Sequence, residues 1–219
     1  MGCTPKNPMR LRTAEKQTIK YKPKNKYLWQ QNQAQSLWKS LFLGSVSNAV
    51  LAESKRPLLL LRDEVPTTGD RLRVGIAVDG SSYGEAATDY VLAHKDFFGA
   101  DPDFRVLHVV RDYETLVATT SVEYVMPTVT SEEFEKSTAE EFEKTVAPVL
   151  ERFEKADVPV QAEKLSGFPS EAIAKYAKNE LDLLVIGSHG YGNFKSAVLG
   201  STAMHIAAEC KVPLLVVRR

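Results

Sequence analysis

The chain has 219 residues, 43% of them hydrophobic, enough for one domain with an appendage or for two small domains. Its 28 Lys and Arg balance 28 Asp and Glu, so total charge points neither to nucleic acid nor to an acidic membrane surface as a partner. No apolar run is long enough to span a bilayer, and the first residues lack the apolar core of a signal peptide. The expected setting is therefore soluble and cytoplasmic, with no membrane partner.

The charge is unevenly spread. Residues 1–39 carry nine Lys or Arg against the single acid Glu15, with no apolar period and little to bury, and residues 1–38 are expected to be a disordered basic segment. Met1-Gly2 does not open a myristoylation signal, because position 6 is Lys where Ser or Thr is needed. Cys3 and Cys210 give no metal-ligand spacing and no disulfide framework, and neither is a functional candidate.

Next comes residues 39–62, KSLFLGSVSNAVLAESKRPLLLLR. With a constant offset of 156 it agrees with residues 195–218, KSAVLGSTAMHIAAECKVPLLVVR, at 12 of 24 positions without a gap. Gly44-Ser45 matches Gly200-Ser201, and Lys-x-Pro-Leu-Leu and a closing Arg are shared, so the start of a helix and a strand are both repeated. One unit is whole and a second is present only as its last piece, the remnant of a first domain over 39–62. Residues 63–70, DEVPTTGD, read as a Pro/Gly linker to a complete domain over 71–219.

Within that domain, short runs rich in Val, Ile and Leu alternate with helix-like stretches, the pattern of a parallel sheet buried on both faces. The runs predict strands over 73–78, 104–110, 158–163, 182–187 and 213–217. Between them, helices are expected over 82–97, over 131–156 with Thr130 and Glu133 as a capping box, over 170–179 after Pro169, and over 200–210. Pro148 should kink or loosen the second of these. Five strands and four helices in alternation make a doubly wound α/β domain.

Two strand ends carry chemistry, since ligands in such folds bind beyond the carboxyl ends of the strands. VGIAVDGSS ends the first strand in Asp79, which can accept hydrogen bonds from ribose hydroxyls or can simply cap the next helix. IGSHGYGNFKSAVLGST follows the fourth strand with Gly187, Gly190 and Gly200-Ser201. Glycines allow close approach to a polyphosphate, and a helix opening at Gly200 turns free N–H groups toward an anion. The same letters also suit a surface loop closed by an ordinary helix.

Gly-x2-Gly-x9-Gly-(Ser/Thr), together with a first strand ending Asp-Gly-Ser, a second ending LHVV and a closing KVPLLVV, resembles the ATP-binding branch of the universal stress protein family. The likeness covers residues 72–219, with the tail of another copy at 39–62. It implies a Rossmann-like five-stranded sheet of order 3-2-1-4-5 and ATP, or a related adenine nucleotide, bound with Mg²⁺ that arrives on the phosphates. By the same resemblance Asp79 would hold the ribose, Ala77, Val109 and Ile186 would surround the adenine, and Gly187, Gly190, Gly200, Ser201 and Thr202 would hold the phosphates. Ala77 and Val78 replace a more polar pair found in some nucleotide-binding members, which leaves fewer side-chain contacts near the base.

The implied role is regulatory, with at most slow hydrolysis or self-phosphorylation. The other readings are an interaction module with an empty loop and an ATP-using transferase. His108 and His189 have no carboxylate or second histidine near them in sequence to orient them, so no catalytic residue is assigned. Family domains often associate through their last strands, giving a homodimer or, here, an intrachain pseudo-dimer. Residues 56–62 are therefore expected to lie antiparallel beside 212–218 as a sixth strand, with 43–52 as a helix over it.

Overall fold

Apolar runs buried on both sides become strands of a parallel sheet, and the amphipathic stretches between them become its covering helices. The computed structural model describes residues 28–31, 45–61, 71–112, 131–190 and 199–219. Their elements are β1 (Leu28–Gln31), α1 (Ser45–Glu53), β2 (Leu58–Leu61), β3 (Arg73–Ala77), α2 (Ser82–Ala93), a 3₁₀ turn (Lys95–Phe98), β4 (Asp103–Val110), α3 (Ser131–Lys155), β5 (Val160–Ser166), α4 (Pro169–Glu180), β6 (Leu183–Gly187), α5 (Ser201–Glu209) and β7 (Leu214–Val217). They form a mixed α/β fold around one sheet of order β1-β2-β7-β6-β3-β4-β5. Strands β3 to β7 take the expected order 3-2-1-4-5 and are all parallel.

Two departures extend that order. β2 lies antiparallel to β7, with Leu58, Leu59 and Leu60 opposite Val216, Leu215 and Leu214, which is the sixth strand expected from the repeat. β1 then pairs parallel with β2 in the register Leu28↔Leu58 to Gln31↔Leu61. The expectation of disorder over 1–38 is thus corrected for residues 28–31. A sheet edge offers unpaired N–H and C=O groups to any segment that reaches it, however polar the sequence around that segment. The rest of 1–38 and the linker expected at 63–70 lie outside the described residues.

Element ends shift where tertiary contacts override local pattern. α2 stops at Ala93 because His94 leaves the helical region at φ −126, ψ 31, and the chain turns out through the 3₁₀ segment to Gly99 at φ 98. β5 runs on to Ser166, since its ladder with β4 continues to Val110↔Ser166. α3 continues through Pro148, which is exposed beside the equally exposed Lys144, so the carbonyl left without a donor faces solvent.

Alternate strand residues feed two cores, one on each face. Leu107, Leu184, Ile186, Leu214 and Val216 meet Ile173 and Ala177 of α4, Ile206 and Ala207 of α5, and Leu51 of α1. On the opposite face Val74, Ile76, Phe104, Val106 and Val185 meet Ala87 and Val91 of α2 and Val146, Val149 and Phe153 of α3. Arg152 pairs with Asp89 and Glu85, which ties α3 to α2.

At the amino ends of β3 and β6 the register is locked by one charge pair. Arg73 donates from Nε and Nη2 to the two carboxylate oxygens of Asp182, at 3.1 and 2.9 Å, and its backbone N–H adds a third bond at 2.9 Å. Burial opposes ionisation of Asp182, but these bonds outweigh it and hold the carboxyl below the usual aspartate range. A carboxylate with a depressed folded pKa stabilises above its unfolded pKa, and that contribution fades as pH falls through the folded value. Arg73→Met should lower stability to urea by about 2 kcal/mol at neutral pH, the worth of bonds to a charged group. The gap between wild type and variant should narrow in acid as Asp182 becomes protonated, which paired urea titrations across pH would measure.

Candidate functional site

β4 and β6 flank β3 on opposite sides, so the sheet switches direction there and leaves a crevice beyond the strand ends. It holds a cavity of about 390 Å³. All nine residues singled out in the sequence line it: Ala77 and Asp79 after β3, Val109 on β4, Ile186 and Gly187 on β6, Gly190 beyond, and Gly200, Ser201 and Thr202 at the start of α5. The loop residues 191–198, between Gly190 and Gly200, lie outside the described residues.

The lining divides by chemistry. Ala77, Val109 and Ile186 are joined by Ile173 of α4 and by Ala203 and Ile206 of α5 into an apolar end, while Asp79, His189, Ser201 and Thr202 make a polar one. Arg111, just past β4, supplies a cation at the wall. Sequence reading missed Arg111, Pro169, Ile173, Ala203 and Ile206. The helix residues were legible only as core positions, and their strand-end location appears once α4 and α5 dock.

Asp79 does not cap α2. Its Oδ1 accepts from the Ser81 backbone N–H at 3.0 Å and from the Ser81 hydroxyl, while Ser81 is the N-cap and accepts from Gly84 N–H at 3.4 Å. One carboxylate oxygen is thus committed to the turn, and the other faces Gly190, where a Cβ would stand 2.5 Å from it.

The glycines of the motif serve close approach and not an unusual backbone angle. A Cβ on Gly187 would lie 2.7 Å from the carbonyl carbon and oxygen of Tyr83, so α2 packs directly on the end of β6. One on Gly200 would press on the His189 backbone at 3.2 Å, where the Gly200 N–H bonds Ser188 O at 2.9 Å.

Three helices start around the crevice, and their first turns differ. α2 is capped by Ser81, and α4 opens on Pro169, which has no N–H to offer. α5 has Gly200 at its N-cap with no side-chain hydrogen bond, so its first N–H groups and positive dipole end remain available to an anion.

Both histidines are held by neighbours. His108 Nδ1 donates to Val78 O at 2.9 Å and its ring tilts against Phe142, with Nε2 buried and 4.0 Å from Glu141 Oε1. His189 Nδ1 bonds the Ser188 hydroxyl at 3.1 Å and its ring lies 5.1 Å from that of Tyr83. Among the described residues no group of three His, Cys, Asp or Glu could hold a metal ion, and no helix is long and apolar enough to cross a membrane.

The family model described as the universal stress protein family matches residues 71–218. The chain belongs to that family. A universal stress protein of Mycolicibacterium smegmatis is 28% identical over 179 residues, 81% of this chain and 56% of the relative. Universal stress protein YxiE of Bacillus subtilis is 30% identical over 150 residues, 65% of this chain and 96% of the relative. Among solved structures, protein MJ0577 superposes with a TM-score of 0.55 at 26% identity, over 68% of this chain and 96% of that one. A universal stress protein from Archaeoglobus fulgidus gives 0.58 at 23% identity, over 88% and 60%. This universal stress chain spans little more than half the length of the first of these relatives.

The glycine contacts rank two substitutions. Gly187→Ala drives a methyl group into the Tyr83 backbone, which cannot rotate away, and should cost about 1–3 kcal/mol. Gly190→Ala meets only the Asp79 carboxylate, which can turn aside, and should cost less. Thermal melts of the two variants in parallel would check the order.

Proposed function

We propose that this universal stress domain is a regulatory binder of ATP or a related adenine nucleotide. The observation that carries the reading is the convergence of three distant segments, 77–79, 186–190 and 200–202, on one cavity with an apolar end, a carboxylate and an uncapped helix start. A volume of about 390 Å³ falls in the range of small-ligand sites. The apolar end among Ala77, Val109 and Ile186 suits the flat face of a purine. The free oxygen of Asp79 suits ribose hydroxyls, and the N–H groups of α5 with Ser201 and Thr202 suit phosphate oxygens. Asp79 is the one carboxylate among the described lining residues, so Mg²⁺ would be held chiefly by the phosphates. No lining residue is assigned as a general base, and this reading takes turnover as slow.

The test is to denature the purified chain, measure released adenine nucleotide, then follow ATP binding by equilibrium dialysis and hydrolysis by phosphate release. The reading expects bound nucleotide and slow turnover, and fails if the chain neither carries nor takes up ATP. Asp79→Asn keeps an acceptor for the Ser81 N–H but loses one for ribose. It should weaken ATP at least about tenfold, roughly 1.4 kcal/mol, with the melting temperature little changed.

A further inference from the structure

One hydrogen-bonding atom beside the crevice is left without a partner. His108 is only 6% exposed, and its Nδ1 meets the Val78 carbonyl at 2.9 Å. A carbonyl oxygen can only accept, so Nδ1 carries the proton and Nε2 of the neutral ring is a bare acceptor. That Nε2 is buried and has no hydrogen-bond partner among the described residues. The charged group it faces, Glu141 Oε1 at 4.0 Å, is a second acceptor. Two acceptors thus oppose each other where a single proton would join them.

The mismatch sits behind the residue that carries the crevice. The β3–β4 ladder ends at Ala77↔Leu107 and is closed by Val78 N–H on Leu107 O. The Val78 carbonyl, the last one before Asp79, is therefore held by the His108 side chain. Glu141 has room to respond. Its side chain is 58% exposed, and it borders a cavity of about 370 Å³ that also touches Val78 and Asp79. Phe142, the next residue of α3, already rests on the ring with centroids 6.2 Å apart.

Other charges surround this pair. Lys144 of α3 borders the same cavity, as does Glu85 of α2, which is paired with Arg152. Lys164 lies opposite His108 in the β4–β5 ladder, on the same face and exposed. On the crevice side the charged or titratable lining groups are Asp79, Arg111 and His189. Of all these, Glu141 is the group printed against Nε2.

We propose that His108 and Glu141 form a proton-operated latch that regulates the crevice, an inference that rests on the nucleotide function proposed above. A proton taken up from solvent lies between Nε2 and the Glu141 carboxylate, draws α3 onto the ring and fixes Val78 and Asp79 in the arrangement that accepts ribose. When the proton leaves, the two acceptors oppose each other again and the turn loosens. ATP is held more tightly with the latch closed, because the site is then organised before the ligand arrives.

Wild type, Glu141→Gln and Glu141→Ala test this in the full chain. The Gln amide can donate to bare Nε2 or accept from protonated Nε2, so it keeps the latch closed at every pH, whereas Ala offers neither bond. Both variants remove the same charge, and comparison at one pH cancels the ionisation of ATP. At about pH 8, above the imidazole range, Glu141→Gln should bind ATP at least about threefold more tightly than Glu141→Ala in equilibrium dialysis, the worth of one hydrogen bond. Wild type should resemble the Ala variant at about pH 8 and the Gln variant at about pH 5. Nitrogen-15 spectra, assigned with His108→Asn, should show Nδ1 protonated throughout and the Nε2 resonance of Glu141→Gln displaced from that of Glu141→Ala at the higher pH. Equal ATP affinity and equal Nε2 resonances in the two variants, or a neutral ring protonated at Nε2, overturn the latch while leaving nucleotide binding intact. A chain that takes up no ATP at either pH overturns the function proposed above and this regulation with it.

Discussion

The parallel pairing of β3 with β6 is the constraint on which the rest of the molecule depends. It sets Ala77 beside Ile186 and so delivers Asp79 and the Gly187–Gly190 turn to the same place, although about a hundred residues of chain separate them. The pairing is fixed at both ends. Arg73 and Asp182 exchange backbone and side-chain bonds at the amino end, and the bare Cα of Gly187 lets Tyr83 close down at the carboxyl end. A slip of one residue would turn core side chains to the opposite face and separate the charge pair, so the register has no close competitor.

From that register the character of the crevice follows. Strand residues that alternate between two cores emerge at the carboxyl ends as apolar side chains, and the turns after them supply the polar groups. The helices then decide where an anion would go. Ser81 takes up one N–H at the start of α2 and Pro169 has none to offer at the start of α4, whereas α5 starts at Gly200 with no side-chain cap and no proline. The carboxyl end of β7 reaches the same rim, where Val217 O accepts from Ser188 N–H at 2.9 Å and Arg219 donates to the Ser82 hydroxyl at 2.8 Å. The strand that forms the β2 seam thus also supports the turn that carries His189 and Gly190.

That seam shows how a short segment can complete a larger sheet. A four-residue strand such as Leu58–Leu61 has no stability by itself. On the β7 edge it gains a backbone partner and two buried faces: Leu58 and Leu60 enter one core and Leu59 the other. β1 then satisfies the outer side of β2. The energetic logic is one of edges, because each added strand removes a row of unpaired groups and leaves another beyond it.

Through its resemblance to the family the sequence implied the order of the five parallel strands; by itself it determined the fold class, the repeat, and the place of Asp79 and the spaced glycines at the strand ends. Each of these is written in local, periodic or repeated letters: apolar runs for buried strands, DGSS and the spaced glycines for turns, and KxPLL twice for a repeated strand. Tertiary structure alone decided the rest. β1 was hidden because LWQQ sits in a basic, weakly apolar stretch and is specified by the edge it joins. Ile173, Ala203 and Ile206 read as ordinary core residues until two helices docked over the crevice. The motif glycines, legible as loop formers, owe their identity to Tyr83, Asp79 and the His189 backbone, contacts that exist only after distant segments pack. Local pattern fixes which face of an element is apolar, but which neighbour covers that face is settled by packing, and packing has no local signature.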